Sequence, residues 1–423
     1  MTMNRRQFLQ STGLGVAALV AAPGVSSVLA ACDSSGSKNG KLTLDFPTWQ
    51  AEEPGVKDWW KLAVSTYESQ HPDVKINIKQ IPFASYTDTL TSRFSAGKPP
   101  DIVHLPTTTF GSYASQGWLA NLDDRLKSTD VLANWTSIED TMIWKGHHVG
   151  VLVLGYAPVL YYNEKLVGSS SLPTSIDQLV SQAKQLTRNG VYGYAATTTT
   201  EANAYGEATW FVYGAGGAWT HGNDLSFTDE TVIKAMDQYR ESASYAPKGV
   251  PGVQKRTLFF DGKMAMMIEG PFVYSALQAA NTSSKPYIKV AKAPYVQQPG
   301  YPSNSIHIPA DIDSVKADAV WDFIKLLTTP DMQTKYAQMY QVSAPRKGAV
   351  TEAMVKSSPQ LGLFQTVTAS SVSATPDNEK VVANFAVVQK LIIDACVRLQ
   401  TTKDSTSSVM SDLQDKVAKA IKV

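Results

Sequence analysis

The sequence predicts an α/β protein of two lobes, and three observations predict it. Apolar periodicity gives a strand–helix–strand–helix–strand series between Lys41 and Leu105, which implies a parallel sheet with helices on its faces. A Val- and Leu-rich stretch bounded by glycine, Gly146 to Tyr162, then interrupts that rhythm before helices and strands resume. The 423-residue chain, less a 31-residue leader, leaves 392 residues, enough for two lobes.

In chain order, Lys41–Phe46 alternates apolar and polar residues as a half-buried strand does. Val56, Trp59, Trp60, Ala63, Val64 and Tyr67 recur at helical spacing, and Pro72 ends that segment. Val74, Ile76 and Ile78 alternate as a second strand. A helix from about Tyr86 to Ala96 leads through Pro99-Pro100 into the apolar strand Ile102–Leu105. Further helices are expected near 175–186, 231–245, 315–328, 331–340, 380–399 and 405–421. Met264–Ile268 reads as a strand, and Gly270-Pro271 as the start of a helix. No short-period repeat is present.

The N-terminus carries a separate message. Arg5-Arg6 followed by Phe8-Leu9 has the pattern of a twin-arginine export signal. The apolar run from Leu14 to Leu29 is broken by Gly15, Pro23 and Gly24, so it reads as a signal core rather than a spanning helix. Leu29-Ala30-Ala31-Cys32 resembles a lipobox, which makes residues 1–31 a leader, Cys32 the lipidated N-terminus and 32–40 a polar tether. A lipid-anchored protein on the outer face of the cytoplasmic membrane is therefore expected. Arg5 and Arg6 leave with the leader, so 36 basic side chains face 37 acidic ones, a balance that excludes the basic stripe of nucleic-acid binders. The two cysteines are Cys32 and Cys396, and lipidation of the first leaves no disulfide framework.

Several segments, in order along the mature chain, resemble family 1 extracellular solute-binding proteins. They are Pro100-Asp101-Ile102-Val103 with Gly117–Asp124, Trp144–Gly150, Leu160–Leu166, Leu172–Leu179, and Phe260–Met266 with Gly270-Pro271-Phe272. Trp321–Leu327, leading through Pro330 to Pro345-Arg346-Lys347, completes the set. The resemblance implies a two-lobed periplasmic-binding-protein fold, type II-like, each lobe a mixed sheet flanked by helices, with the ligand in the cleft between. It places one lobe at 41–150 plus 291–343 and the other at 151–290 plus 344–423. It further implies a monomer that binds a sugar, mono- or oligosaccharide, and delivers it to the transmembrane subunits of an ABC permease. No cofactor or metal is implied.

A sugar presents C–H faces and a hydroxyl rim, so its site needs aromatic rings with carboxylates, amides or arginine at strand ends. Trp49, Gln50 and Glu52 follow the first strand, and Thr107 follows the strand after Asp101, with His104 ranked below it as a strand histidine. Trp49 has the alternative of capping the core. Tyr156 lies in the expected crossover, and Tyr205, Trp210 and Trp219 surround the glycines Gly214, Gly216 and Gly217. Gly270 and Phe272 match the family's Gly-Pro-Trp segment, with phenylalanine replacing tryptophan and no N–H donor offered. His307 stands where relatives carry a glycine pair, and Arg346 matches the family's arginine, with a surface salt bridge as its alternative.

Other classes have weaker warrants. Tyr161-Tyr162 suggests a ferric site, but adjacent strand residues face opposite sides. His147-His148 lacks a third ligand. Ser181–Lys184 reads S-x-x-K without its companion motifs, and no HExxH, GxSxG or P-loop occurs. The acid pairs Glu52-Glu53 and Asp123-Asp124 leave an exported glycoside hydrolase as the alternative from the enzyme class, and a polyol or glycerol-phosphate-type ligand as the alternative cargo.

Overall fold

A computed structural model describes residues 41–422. The leader, Cys32 and the tether lie outside the described residues. Strand β1 (Leu42–Thr48) pairs in parallel with β2 (Val74–Gln80), in unbroken register from Leu42↔Val74 to Thr48↔Gln80. Helix α1 (Lys57–Gln70) connects them and buries Trp59, Trp60, Ala63, Val64 and Tyr67, the expected helical stripe. Helix α2 (Phe83–Ser95) leads to β3 (Val103–Pro106). The amides of Asp101 and Ile102 both donate to the Asp45 carbonyl at 3.1 Å, which ties β3 to β1.

The stretch from Gly146 to Tyr162 runs, after a short hairpin strand at His147–His148, into two longer strands that belong to different sheets. β4 (Val151–Tyr156) is buried throughout, and β5 (Val159–Asn163) nearly so. The second sheet adds β6 (Tyr192–Tyr194), β7 (Met264–Glu269) and β8 (Ile288–Lys292), in the order β8-β5-β7-β6. β7 runs antiparallel to β5 and parallel to β6, so this sheet is mixed. β9 (Pro299–His307) returns to the first region and pairs antiparallel with both β3 and β4. The chain thus passes between sheets at Ala157–Pro158 and again at 293–298. At the first passage the Ala157 amide donates to the Thr368 hydroxyl at 3.2 Å.

Helices α3 (Ile176–Leu186), α4 (Ala202–Gly214), α5 (Glu230–Ser244) and α6 (Gly252–Phe260) follow β5 and precede β7. α7 (Ser314–Thr328) starts on an Asp313 cap, and α8 (Pro330–Tyr340) on a Thr329 cap with proline in its first turn. α9 (Pro359–Ala369), α10 (Phe385–Thr401) and α11 (Thr406–Ala420) close the chain, with α10 packed on α4 and α11. The helix expected over 380–399 is two, because a short turn of helix at Glu379–Ala383 ends at Asn384 before α10 begins.

α4 and β9 are not legible from periodicity, for opposite reasons. Every residue of α4 from Ala204 to Gly214 is buried, so no polar face marks its turn. β9 contains Pro299, Gly300 and Pro302, which read as loop, and its pairing is irregular there. Cys396 is buried with no disulfide partner among the described residues, and burial pushes its thiol up to about 12. Among the described residues no helix is long and apolar enough to cross a membrane.

Candidate ligand-binding cleft

The C-terminal end of β1 begins one wall. Trp49 is half-buried and stacks on His104, with centroids 4.2 Å apart and planes 9° from parallel. His104 bridges three strands. Its Nδ1 is 2.8 Å from the Thr48 hydroxyl and its Nε2 is 3.1 Å from Asn304 Oδ1 on β9. Asn304 Oδ1 can only accept, so Nε2 carries the imidazole proton and Nδ1 accepts from the Thr48 hydroxyl, whose oxygen also accepts the Gln50 amide at 3.1 Å. His104 Nε2–H then donates to Asn304, and the Asn304 amino group is left for the cavity it lines. Burial keeps this imidazole neutral, with its pKa lowered to about 3. Gln50 is fixed in turn by the Trp60 indole, which donates to its Oε1 at 3.2 Å. Glu53 accepts the Tyr340 hydroxyl at 2.6 Å, and burial raises its carboxyl above the ordinary range.

The facing wall comes from α4, α6 and the end of β7. Lys255 is fully buried, 2.6 Å from Glu207 Oε1 and 2.8 Å from Glu269 Oε2. Arg256 adds a contact of 3.1 Å to the same Glu269 oxygen, and its guanidinium lies 5.2 Å from the Phe272 ring centroid. Burial would raise the Glu269 carboxyl, but the Arg256 and Lys255 charges overcome it and hold it at about 2. Two cations and two carboxylates therefore close a neutral cluster on the cleft floor. Gly270 lets the two rings beside it approach, since a Cβ there would meet Phe272 and lie 2.9 Å from Tyr156 Cε2.

Between these walls lies a cavity of about 460 Å³, within the ~300–1,000 Å³ range of small-molecule sites. Trp49, Trp210, Tyr156 and Phe272 give it aromatic surface, while Gln50, Glu53, Asn304 and Arg256 give it a polar rim. The Trp210 indole N–H is buried and has no hydrogen-bond partner among the described residues. Residues 51–334, more than half of the chain, match the model of the bacterial extracellular solute-binding proteins.

The chain belongs to that family.

A galactooligosaccharide-binding protein of Bacillus subtilis (strain 168) is 27% identical to this solute-binding protein over 273 residues. The alignment covers 60% of this chain and 63% of that relative, so it spans less than two thirds of either. The GacH receptor of Streptomyces glaucescens, solved unliganded and with acarbose, superposes with a TM-score of 0.78 at 18% identity, over 90% of this chain and 99% of that one. UgpB of Mycobacterium tuberculosis, solved with glycerophosphocholine, superposes with a TM-score of 0.77 at 16% identity, over 90% and 99%. At such identities the likeness shows the fold, which is the expected two-lobed α/β one, and does not choose between ligands.

The solute-binding protein gathers some of the residues singled out from sequence and scatters others. Trp49, Gln50, Tyr156, Trp210 and Phe272 line the cavity, with Gly270 beneath. Thr107 and Tyr205 are buried along a second, adjoining cavity of about 600 Å³. Glu52 is exposed and its neighbour Glu53 takes the place expected for it.

Three residues lie away from the cleft. Trp219 is wholly buried, stacked 5.4 Å from Phe227 and donating to Thr209 at 3.0 Å, so it is core. His307 is held 2.7 Å from both the Val149 carbonyl and the Ser305 hydroxyl, and burial lowers its pKa to about 4. Arg346 pairs with both carboxylate oxygens of Asp130 and reaches the Thr328 carbonyl at 3.3 Å, so the salt-bridge alternative describes it. Tyr161 turns its hydroxyl to the Gly270 carbonyl at 3.2 Å, which makes it a packing residue. Among the described residues no group of three or more His, Cys, Asp or Glu side chains has the spacing of a metal site.

Arg256 and Asn304 escaped the sequence reading, and Glu53 entered it only as half of an acid pair. Glu53 differs from Glu52 only by the geometry of a turn. Arg256 and Asn304 sit on α6 and β9, two elements that periodicity does not reveal.

Proposed function

We propose that this chain is the extracytoplasmic substrate-binding component of an ABC importer and that it binds a carbohydrate in the cavity between β1, β9, α4 and β7. One observation carries the reading: aromatic side chains, Trp49, Tyr156, Trp210 and Phe272 among them, share a single cavity with amides, carboxyls and a guanidinium. Rings cover the C–H faces of a sugar, and the polar groups accept and donate to its hydroxyls. The galactooligosaccharide-binding relative supports the same class. Glu53, Glu207 and Glu269 in the wall count against a phosphodiester, because Arg256 is already matched by Glu269. Those pairings also count against a glycoside hydrolase, since Glu207 and Glu269 are spent on buried cations rather than free to carry a proton.

The lobes are proposed to divide at the two passages between sheets, close to the division expected from sequence, and to close over the ligand for recognition by the permease. We further assign residues 1–31 to export and Cys32 to a lipid anchor, with the mature protein a monomer.

The test is calorimetric titration of residues 41–423 with galacto- and malto-oligosaccharides, beside Trp210→Ala. Saturable binding without product is expected, weakened roughly tenfold or more in the variant, as loss of a buried aromatic anchor implies. Binding unchanged in Trp210→Ala, or turnover of a chromogenic glycoside, contradicts the proposal.

A further inference from the structure

The cavity of about 600 Å³ that holds Thr107 and Tyr205 is larger than the one assigned to the sugar. The two adjoin at a waist, where Thr108 and Tyr301 line both. The Tyr301 ring stands at this waist, 5.8 Å from Tyr156 and 6.4 Å from Trp210 on the side of the smaller cavity. Beyond the waist the wall has the same mixed chemistry, with Trp144, Tyr205 and Tyr213 beside Thr107, Thr108 and Gln297. Gln297 Nε2 donates to the Tyr213 carbonyl at 2.9 Å, which leaves its Oε1 to accept from a hydroxyl.

A hairpin supplies the outermost ring. Ile143–Trp144 pairs with His147–His148 across Lys145 and Gly146, whose φ angles are +50° and +82°. Positive φ at both central residues is the tight two-residue turn that matches strand twist, so the hairpin is a fixed support. It carries two large apolar side chains at the surface, Ile143 exposed and Trp144 half-buried, and both line the second cavity. Trp144 packs in part against the core cluster that includes Tyr113 and Met142, while Ile143 stays exposed, and the surface both residues leave free faces the second cavity as a ring-stacking wall would.

We propose that the second cavity is the continuation of the ligand site and that the cargo is an oligosaccharide of at least three rings, threaded past Tyr301 with its far end on Trp144. This rests on the carbohydrate reading above. Together the two compartments exceed the ~1,000 Å³ upper range of small-molecule pockets, which is more room than one or two rings occupy.

The test is a ladder of galacto- and malto-oligosaccharides from one to five rings, titrated by calorimetry into residues 41–423 and into Trp144→Ala. Because Trp144 is a half-buried hairpin residue, the variant is expected to keep its melting temperature, which is measured alongside. Affinity should rise once the chain passes two rings, and Trp144→Ala should remove roughly tenfold of that gain while mono- and disaccharides bind as before. Short sugars bound normally with no gain for longer ones, or no effect of Trp144→Ala on any length, overturns the threaded site and leaves the carbohydrate reading standing. Failure of every rung to bind the unaltered protein removes the carbohydrate reading itself.

Discussion

Lys255 illustrates what the cleft asks of single residues. Its ammonium is fully buried and touches two carboxylates, so removing it strands Glu207 and Glu269 as uncompensated charges beside Arg256 alone. Lys255→Met is therefore expected to cost about 3–5 kcal/mol, read as a lower denaturation midpoint at unchanged m-value. Stability within ~1 kcal/mol of the unaltered protein would mean the cluster is not the buried network described. Strand-end logic was enough to bring Trp49 and Gln50 to the cavity wall, because α/β sheets present their carboxyl ends to ligands, and Tyr156 came from the expected crossover. It had no access to partners distant in sequence. Arg346 is occupied by Asp130, and His307 by Val149, and neither pairing leaves a mark in the local sequence.

At the scale of elements, the paired strands β4 and β9 rest on a buried acid. Glu139 is 3% exposed, its Oε2 accepts the Leu152 amide at 2.9 Å, and its Oε1 has no partner among the described residues. Burial raises its carboxyl to about 8. An acid raised in the folded state binds more protons there than in the unfolded chain, so stability falls as pH rises from the unfolded value to about 8. The buried histidines act in the opposite sense and in a lower window. His104 and His307, lowered to about 3 and 4, bind protons mainly when unfolded, so their contribution falls as pH drops below ~6.5. Near pH ~6.5 the two histidines still offset the acid, and from about pH 7 to 8 the acid dominates these three. The melting temperature should decline across that interval, and Glu139→Gln should flatten it. A flat profile in the unaltered protein would contradict a neutral Glu139. The elements themselves were legible where one face is wet, as in α1, and illegible where burial is complete, as in α4, or where proline interrupts a strand, as in β9.

For the whole molecule, the opening strand–helix series and the family-like segments were enough to reach the two-lobed α/β fold. The cleft follows from the pairing of β9 with β3 and β4, a connection between residues about 150–200 positions apart in sequence that local patterns do not encode. Ligand identity is a finer matter still, because a single fold serves a receptor solved with acarbose and another solved with glycerophosphocholine. The walls of this cavity carry aromatic rings and amides, with the Arg256 cation paired to Glu269.

The most direct test of the carbohydrate reading is a thermal-shift screen of residues 41–423 against oligosaccharides, polyols, glycerophosphocholine, amino acids and ferric citrate. A ligand that binds only the folded state raises the melting temperature by mass action, about 2.7 kcal/mol of stabilisation at a hundredfold excess over Kd. The account predicts a shift with one class of oligosaccharide and none with glycerophosphocholine or iron. A shift with glycerophosphocholine, an amino acid or ferric citrate, and none with any sugar, would keep the fold and contradict the carbohydrate site.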